Sequence, residues 1–253
     1  MDWRGRTVLI TGAAGGMGLA FARRFAAAGA AVALADVAAE RAAGAARDLG
    51  RDAMAIGADV ARVADCARMV AEAVARFGRL DLLINSAGVW VEGPAEDMSE
   101  AEWDRCLDIN LKGTFFACRH AIPELCKTGG LIVNIASDAG LMGSAGAAVY
   151  CASKGGVVLL TKALALELAP KGVRCLAVCP CDVETPMLEG QARDYGGGDP
   201  EGYRRRLLSI YPQGPRARFA RPEEVAELVF SLAGLAPVTG ACVPIDFGTT
   251  AGR

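Results

Sequence analysis

The feature that most restricts the fold lies near the start of the chain. The β-branched run Thr7-Val8-Leu9-Ile10 stops at a turn, Thr11-Gly12-Ala13-Ala14-Gly15-Gly16-Met17-Gly18, and a helical pattern follows from Gly16 to Ala28. Gly29 closes that helix, and a second apolar strand, Ala31 to Ala35, ends at Asp36. A strand, a helix and a strand within about 30 residues fit a right-handed parallel crossover. The glycines let the backbone turn sharply, and the helix N-terminus offers its amides to an anion such as a pyrophosphate. Small residues in such a turn also serve plain packing, so Asp36 carries much of the weight. A carboxylate about 20 residues beyond the turn can accept hydrogen bonds from both ribose hydroxyls and repels a 2'-phosphate. Ala13, Ala14, Gly15, Met17 and Val37 bring no compensating cation. NAD is therefore expected over NADP.

The alternation continues. Helices are expected over 38–49, 62–77, 99–126, 150–169 and 222–233, and strands over 53–57, 80–85, 130–136, 173–179 and 241–245. Repeated strand and helix predicts an α/β fold: a Rossmann-like doubly wound parallel sheet of about seven strands with helices on both faces, in one domain spanning 1–253. Residues 182–221 break the rhythm with Pro, Gly, Tyr and Arg, including Gly196-Gly197-Gly198-Asp199-Pro200. This segment falls where strand ends carry ligands, and it is a candidate lid.

Composition narrows the partners. The chain is 53% hydrophobic and 22% charged, with a net charge of -2, which leaves no broad positive field for nucleic acid. Small molecules are the expected ligands. The first residues lack the apolar core of a secretory signal, and the apolar windows at 25–39 and 129–153 are interrupted by Gly and Asp, so neither export nor a membrane span is expected. Nine cysteines without a secretion signal read as reduced thiols in a cytoplasmic protein. Cys175, Cys179 and Cys181 lack a usual zinc spacing, and the single histidine, His120, cannot complete a multi-histidine site, so no metal is expected.

Several motifs then fall in one order. The turn reads TGxxxGxG at Thr11, Gly12, Gly16 and Gly18; Asp59-Val60 follows a strand; Asn85-Ser86-Ala87-Gly88 ends another. Asn110 precedes Leu111-Lys112-Gly113, Ser137 lies at a strand end, and Tyr150-Cys151-Ala152-Ser153-Lys154 forms YxxxK. Together these resemble the short-chain dehydrogenase/reductase family, along essentially the whole chain. The resemblance implies a nicotinamide cofactor held by Gly12, Gly16, Met17, Gly18, Asp36, Asp59, Val60, Asn85, Ala87, Gly88, Tyr150, Lys154, Pro180, Val183 and Thr185. It also implies a catalytic set of Asn110, Ser137, Tyr150 and Lys154, with Asn110 holding a water that links Lys154 to solvent. Assembly as a homotetramer or homodimer through the helices around Leu111 and Val157 is a further implication.

The chemistry follows from residue types. Tyr150 and Lys154 are one helical turn apart and share a face. A phenol ionises near pH ~10, too high for a base near neutrality, and an adjacent ammonium and a cationic nicotinamide favour the phenolate. Ser137 can donate a hydrogen bond to the substrate oxygen while Tyr150 transfers its proton. Taken alone each residue has an ordinary structural use; taken together they predict interconversion of a secondary alcohol and a ketone.

The chain departs from the family pattern at two places. Cys181 stands where glycine often follows Pro180, raising either backbone strain or simple packing beside the nicotinamide, and a redox switch there is a weaker idea. Phe247 replaces one glycine of a usual Asp-Gly-Gly, with an effect expected at assembly contacts. The substrate pocket is expected to involve Ser137, Trp90, Asp138, Leu141, Met142, Met187, Leu188 and Tyr195, and its apolar character suggests a modest hydrophobic ketone or alcohol. Arg204, Arg205 and Arg206 read as a solvated helix face before an anion clamp. Two other readings stand beside this one. A 3-oxoacyl thioester reductase would prefer NADPH, against Asp36; a non-catalytic NAD sensor or scaffold would be expected to lose Tyr150 or Lys154.

Overall fold

A computed structural model describes residues 1–252. Strand β1 (Thr7–Thr11) pairs in parallel with β2 (Ala31–Asp36) on one side and β4 (Leu82–Asn85) on the other. With β3 (Ala53–Gly57), β5 (Leu131–Ile135), β6 (Arg174–Pro180) and β7 (Cys242–Ile245), the order is β3-β2-β1-β4-β5-β6-β7, all parallel. The chain turns back at the β1/β4 pair, so a crevice opens beyond Thr11 and Asn85, the position where open α/β sheets bind ligands.

Both faces of this sheet are covered, and the pleat shows how. Val8 and Ile10 point into one apolar core with Phe21, Phe25, Val225 and Val229, while Leu9 between them points into another with Met69, Ala117 and Leu164. The first core is formed under α1 (Gly16–Ala27) and α9 (Pro222–Ala233), where Phe25 meets Trp3 edge-on at 4.7 Å and Phe230 at 5.4 Å. The second lies under α3 (Val63–Phe77), α5 (Thr114–Thr128) and α6 (Ala148–Leu168). Helix α2 (Ala39–Leu49) packs beside β2 and β3.

The helix expected over 99–126 is three pieces: α4 (Glu100–Leu107), a π-helical turn (Asp108–Gly113), and α5. The wide turn contains Asn110, whose side chain is pulled away to the backbone of Val89. Gly113 ends it against Val60, where an added Cβ would lie 2.9 Å from the Val60 oxygen. A hydrophobic period does not register one extra residue in a turn.

The segment 182–221 is more ordered than its composition suggests. It contains α7 (Pro186–Tyr195), α8 (Pro200–Ser209) and a short 3-10 turn, Gly214–Arg216. A parallel bridge between Val183 and Ala220 pins its base.

Helix α6 and its short extension, Ala148–Lys171, are long and apolar enough to cross a membrane by length and composition, and half of the apolar stretch is buried. Its first residues, 148–153, overlap the apolar window 129–153, and the rest runs beyond it.

Candidate active site

Two cavities meet at the C-terminal edge of the sheet. The larger, about 290 Å³, runs over Gly12, Gly16 and Gly18, past Asp36, Asp59 and Val60, to Ala87 and Gly88. The smaller, about 110 Å³, is walled by Ser137, Tyr150, Trp90, Met142 and the start of α7. They share Met17, Thr185 and Met187.

The larger groove depends on its glycines. Gly12 has a φ of 67°, and an added Cβ would stand 2.8 Å from the Ala87 Cα. A Cβ on Gly18 would collide with the carbonyl oxygen of Gly12, whereas one on Gly15 would meet open space. The Thr11 hydroxyl accepts hydrogen bonds from the amides of Ser86 and Ala87, each at 3.1 Å, and so ties the end of β1 to the end of β4. This open, amide-lined cradle at the head of α1 suits a dinucleotide pyrophosphate. Asp36 accepts from the amides of Ala14 (2.9 Å) and Ala38 (2.8 Å), which hold its carboxylate at the groove wall. Arg41 of α2, an exposed cation that the sequence reading did not weigh, lines the same end.

Asn85 does not line either cavity. It is buried, donating to Asn134 Oδ1 at 2.8 Å, and its place is between strand ends in the sheet. Pro180 and Val183 lie on the smaller cavity, and Thr185 on both. A strand-end motif shows where a backbone stops without showing which face its side chain takes.

Ser137 and Tyr150 line the smaller cavity, while Lys154 and Asn110 approach Gly88 on the larger one. Tyr150 is buried and stacks at 4.4 Å and 54° against Trp90. Lys154 Nζ lies 5.7 Å from the Tyr150 ring centroid and donates to the Ile135 carbonyl at 2.9 Å. Burial pushes the Tyr150 phenol well above its ordinary value, with Ser137 pulling down and Asp138 pushing up. Burial also lowers Lys154 to about 8. In the protein alone, burial thus outweighs the downward pull on Tyr150 expected from its lysine.

Asn110 is fully engaged: its Oδ1 accepts from the Val89 amide at 2.8 Å, and its Nδ2 donates to the Val89 carbonyl (3.0 Å) and Ser153 Oγ (3.1 Å). Its side chain fixes the backbone beside Gly88 and the residue before Lys154. The Ser137 hydroxyl donates to Asp138 Oδ1 at 2.9 Å and accepts from the Ala139 amide at 3.2 Å.

Of the expected pocket residues, Ser137, Trp90, Asp138, Met142, Met187 and Leu188 line the smaller cavity. Leu141 does not: it follows the 3-10 turn Asp138–Gly140 and is 39% exposed. Tyr195 also falls outside, one turn of α7 beyond Gln191. Residues not anticipated are Asp182 and Gln191 on the wall, and the pair Glu92 and Tyr203 beside it. Glu92 accepts from Trp90 Nε1 at 2.8 Å and from the Tyr203 hydroxyl at 2.6 Å, joining the loop after β4 to α8. An acid between two aromatics distant in sequence leaves no local signal.

Strain falls at Phe247 rather than at Cys181. Phe247 alone among the described non-glycine residues has positive φ, 54°, at a cost of about 1–2 kcal/mol. Its ring sits 6.4 Å from Tyr211, with the Arg218 guanidinium 4.8 Å from its centroid. Cys181 packs on the cavity wall, and burial pushes its thiol up to about 12, which keeps it protonated and argues against a redox switch.

Comparison with known proteins gives the same pattern of likeness. A family model described as short chain dehydrogenase matches residues 6–196. The meso-2,3-butanediol dehydrogenase of Serratia marcescens is 41% identical, over 99% of this chain and 97% of its own. The D-threitol dehydrogenase of Mycolicibacterium smegmatis is also 41% identical, over 97% and 93%. Among solved structures, levodione reductase superposes with a TM-score of 0.94 at 31% identity, covering both chains fully. A 3-ketoacyl-(acyl-carrier-protein) reductase from Brucella melitensis, complexed with NADH, gives 0.87 at 31%, over 98% of this chain and 99% of that one. With a seven-stranded parallel sheet, a glycine-floored groove and a Tyr150, Lys154 pair beside it, the chain belongs to the short-chain dehydrogenase family, oxidoreductases that use a nicotinamide cofactor.

Proposed function

We propose that this protein is an NAD-dependent oxidoreductase that interconverts a secondary alcohol and its ketone. The observation that carries the reading is that Ser137 and Tyr150 share the wall of one cavity, which itself shares Met17, Thr185 and Met187 with the glycine-floored groove. Relatives whose names describe dehydrogenation of butanediol, threitol and trans-4-hydroxycyclohexanecarboxylate support it.

Gly12, Gly16, Met17 and Gly18 hold the pyrophosphate, Asp36 the adenosine ribose, Asp59 and Val60 the adenine, and Ala87, Gly88 and Thr185 the nicotinamide half. When bound, the oxidised nicotinamide takes up hydride and adds a positive charge beside the phenol. In the oxidative direction Tyr150 accepts the alcohol proton while Ser137 donates to the same oxygen; in reduction Tyr150 returns the proton. Lys154 favours the phenolate by its charge, and Asn110 positions Val89 and Ser153. Ser137 must turn from Asp138 to meet the substrate oxygen. NAD is favoured over NADP because Asp36 is fixed by two amides next to the ribose site, whereas the opposing Arg41 is exposed and screened. Residues 182–221 cover the smaller cavity as a lid, and the chain pairs with copies of itself through exposed Phe115, Leu159 and Leu166 on α5 and α6.

The test is NADH formation from a panel of secondary alcohols, with NADP run in parallel. Turnover with NAD at a kcat/KM at least about 10-fold above that with NADP supports the reading. No turnover across the panel, or a preference for NADP, overturns the corresponding part.

A further inference from the structure

The smaller cavity is apolar along Trp90, Met142, Met187 and Leu188, and against that wall stand three oxygen acceptors. Asp138 lies next to Ser137, and both of its hydrogen bonds fall on Oδ1. Asp182 lies just past the end of β6, and its Oδ2 accepts from the Tyr211 hydroxyl at 2.8 Å. Each carboxylate therefore keeps one oxygen without a hydrogen-bond partner among the described residues. The third acceptor is independent of these two. Gln191 is only 8% exposed, lines the cavity from α7, and its buried Oε1 has no partner. Ser137 and Tyr150 line the same cavity, so these acceptors stand beside the place proposed for the chemistry.

No Arg, Lys or His lines this cavity among the described residues. The nearby arginines of α8 are occupied outside it: Arg204 stacks 4.8 Å from the centroid of Phe219, Arg205 pairs with Asp199 at 3.5 Å, and Arg206 lies 5.5 Å from the centroid of Tyr203. A site with acceptors and no cation is matched by a ligand that donates, and it repels a ligand bearing a carboxylate, sulfonate or phosphate. Folding leaves these oxygens under-satisfied at a cost that a donating ligand removes.

Resting on the alcohol and ketone reading above, we infer that the substrate carries a second hydroxyl beside the reacting carbon, donated to Asp138, Asp182 and Gln191. The substrate class is then vicinal diols and the corresponding hydroxyketones, in preference to simple alcohols and hydroxy acids. The reaction removes two hydrogens from one carbinol of the diol, one as hydride to NAD and one as a proton through Tyr150, and leaves the neighbouring hydroxyl intact.

The test uses four compounds on one four-carbon skeleton: butane-2,3-diol, butan-2-ol, 3-hydroxybutyrate and 3-aminobutan-2-ol, each oxidised by the wild-type protein with NAD. The expected result is a kcat/KM for the diol about 10-fold to 100-fold above that for butan-2-ol, with the hydroxy acid lowest. In Asp182→Asn and in Gln191→Leu the ratio of diol to butan-2-ol falls several-fold toward one. Equal or better use of butan-2-ol or of the acid, or a preference for the amino alcohol, overturns this inference and leaves the dehydrogenase reading standing. Absence of turnover with all four overturns both.

Discussion

Replacing Asp138 by Asn removes a charge that folding must bury. Burial is the main cause that lifts this carboxyl from 3.8 to about 6, with the Ser137 hydrogen bond pulling down and the Asp182 charge pushing up. A carboxyl whose pKa is higher in the folded than in the unfolded chain contributes stability that is complete below the unfolded value and is lost as pH rises through the folded one. Above about pH 7 the ionised group therefore costs the fold up to about 3 kcal/mol, at 1.36 kcal/mol per pKa unit. Asn keeps an Oδ1 acceptor for Ser137 and Ala139 and carries no charge. Asp138→Asn is thus expected to raise stability by up to about 3 kcal/mol at pH 8, and by about 1.4 kcal/mol less at pH 5, where the wild-type carboxyl is mostly protonated in the folded protein. Urea unfolding of both proteins without cofactor, at the two pH values, measures this directly. A gain that does not shrink at pH 5, or a loss of stability at pH 8, refutes the reasoning. The same variant is expected to turn over the diol less well, because the aspartate is then kept for its ligand at the expense of stability.

Tyr203→Phe removes the 2.6 Å hydrogen bond to Glu92 and unties α8 from the loop that carries Trp90. Thermal melts should show a loss of about 1–2 kcal/mol, and steady-state kinetics a raised KM with a smaller change in kcat; an unchanged KM counts against Glu92 as a tie. Gly12→Ala places a Cβ against the backbone of Ala87 at a residue with a φ of 67°. It should cost more than about 2 kcal/mol and abolish NADH binding by fluorescence titration, and tight NADH binding by this variant contradicts the account of the groove.

The strands and the position of the glycine turn were legible because each rests on local pattern: Val8, Leu9 and Ile10 alternate between two buried faces, and Gly12 and Gly18 stand where a Cβ would meet backbone. The Tyr150, Lys154 pair was legible because residues four apart on a helix share a face. What escaped depends on long-range placement. Asn110 reads as helical and sits in a π turn because Val89, far earlier in the chain, binds its side chain. Asn85 falls at the correct strand end but faces Asn134 in the sheet. Of the two readings of Cys181, strain or packing, packing holds, and the strain lies at Phe247, since the left-handed position belongs to the turn after β7. Asp182, Gln191, Glu92 and Tyr203 lie in or beside segments that look like ordinary loop or helix surface. The packing of α7 and α8 past the end of β6 brings Asp182 and Gln191 to one cavity and Tyr203 to Glu92 beside it.

In the proposed function Tyr150 moves the proton, Lys154 and Ser137 assist it by charge and hydrogen bonding, and the rest of the site binds and orients. Tyr150→Phe keeps the ring against Trp90 and removes the hydroxyl alone. Measured beside the wild type, the variant should bind NADH with an unchanged Kd and lose at least about 10²-fold to 10⁴-fold in kcat for alcohol oxidation at every pH from 6 to 10. Retention of wild-type turnover by Tyr150→Phe would contradict the account.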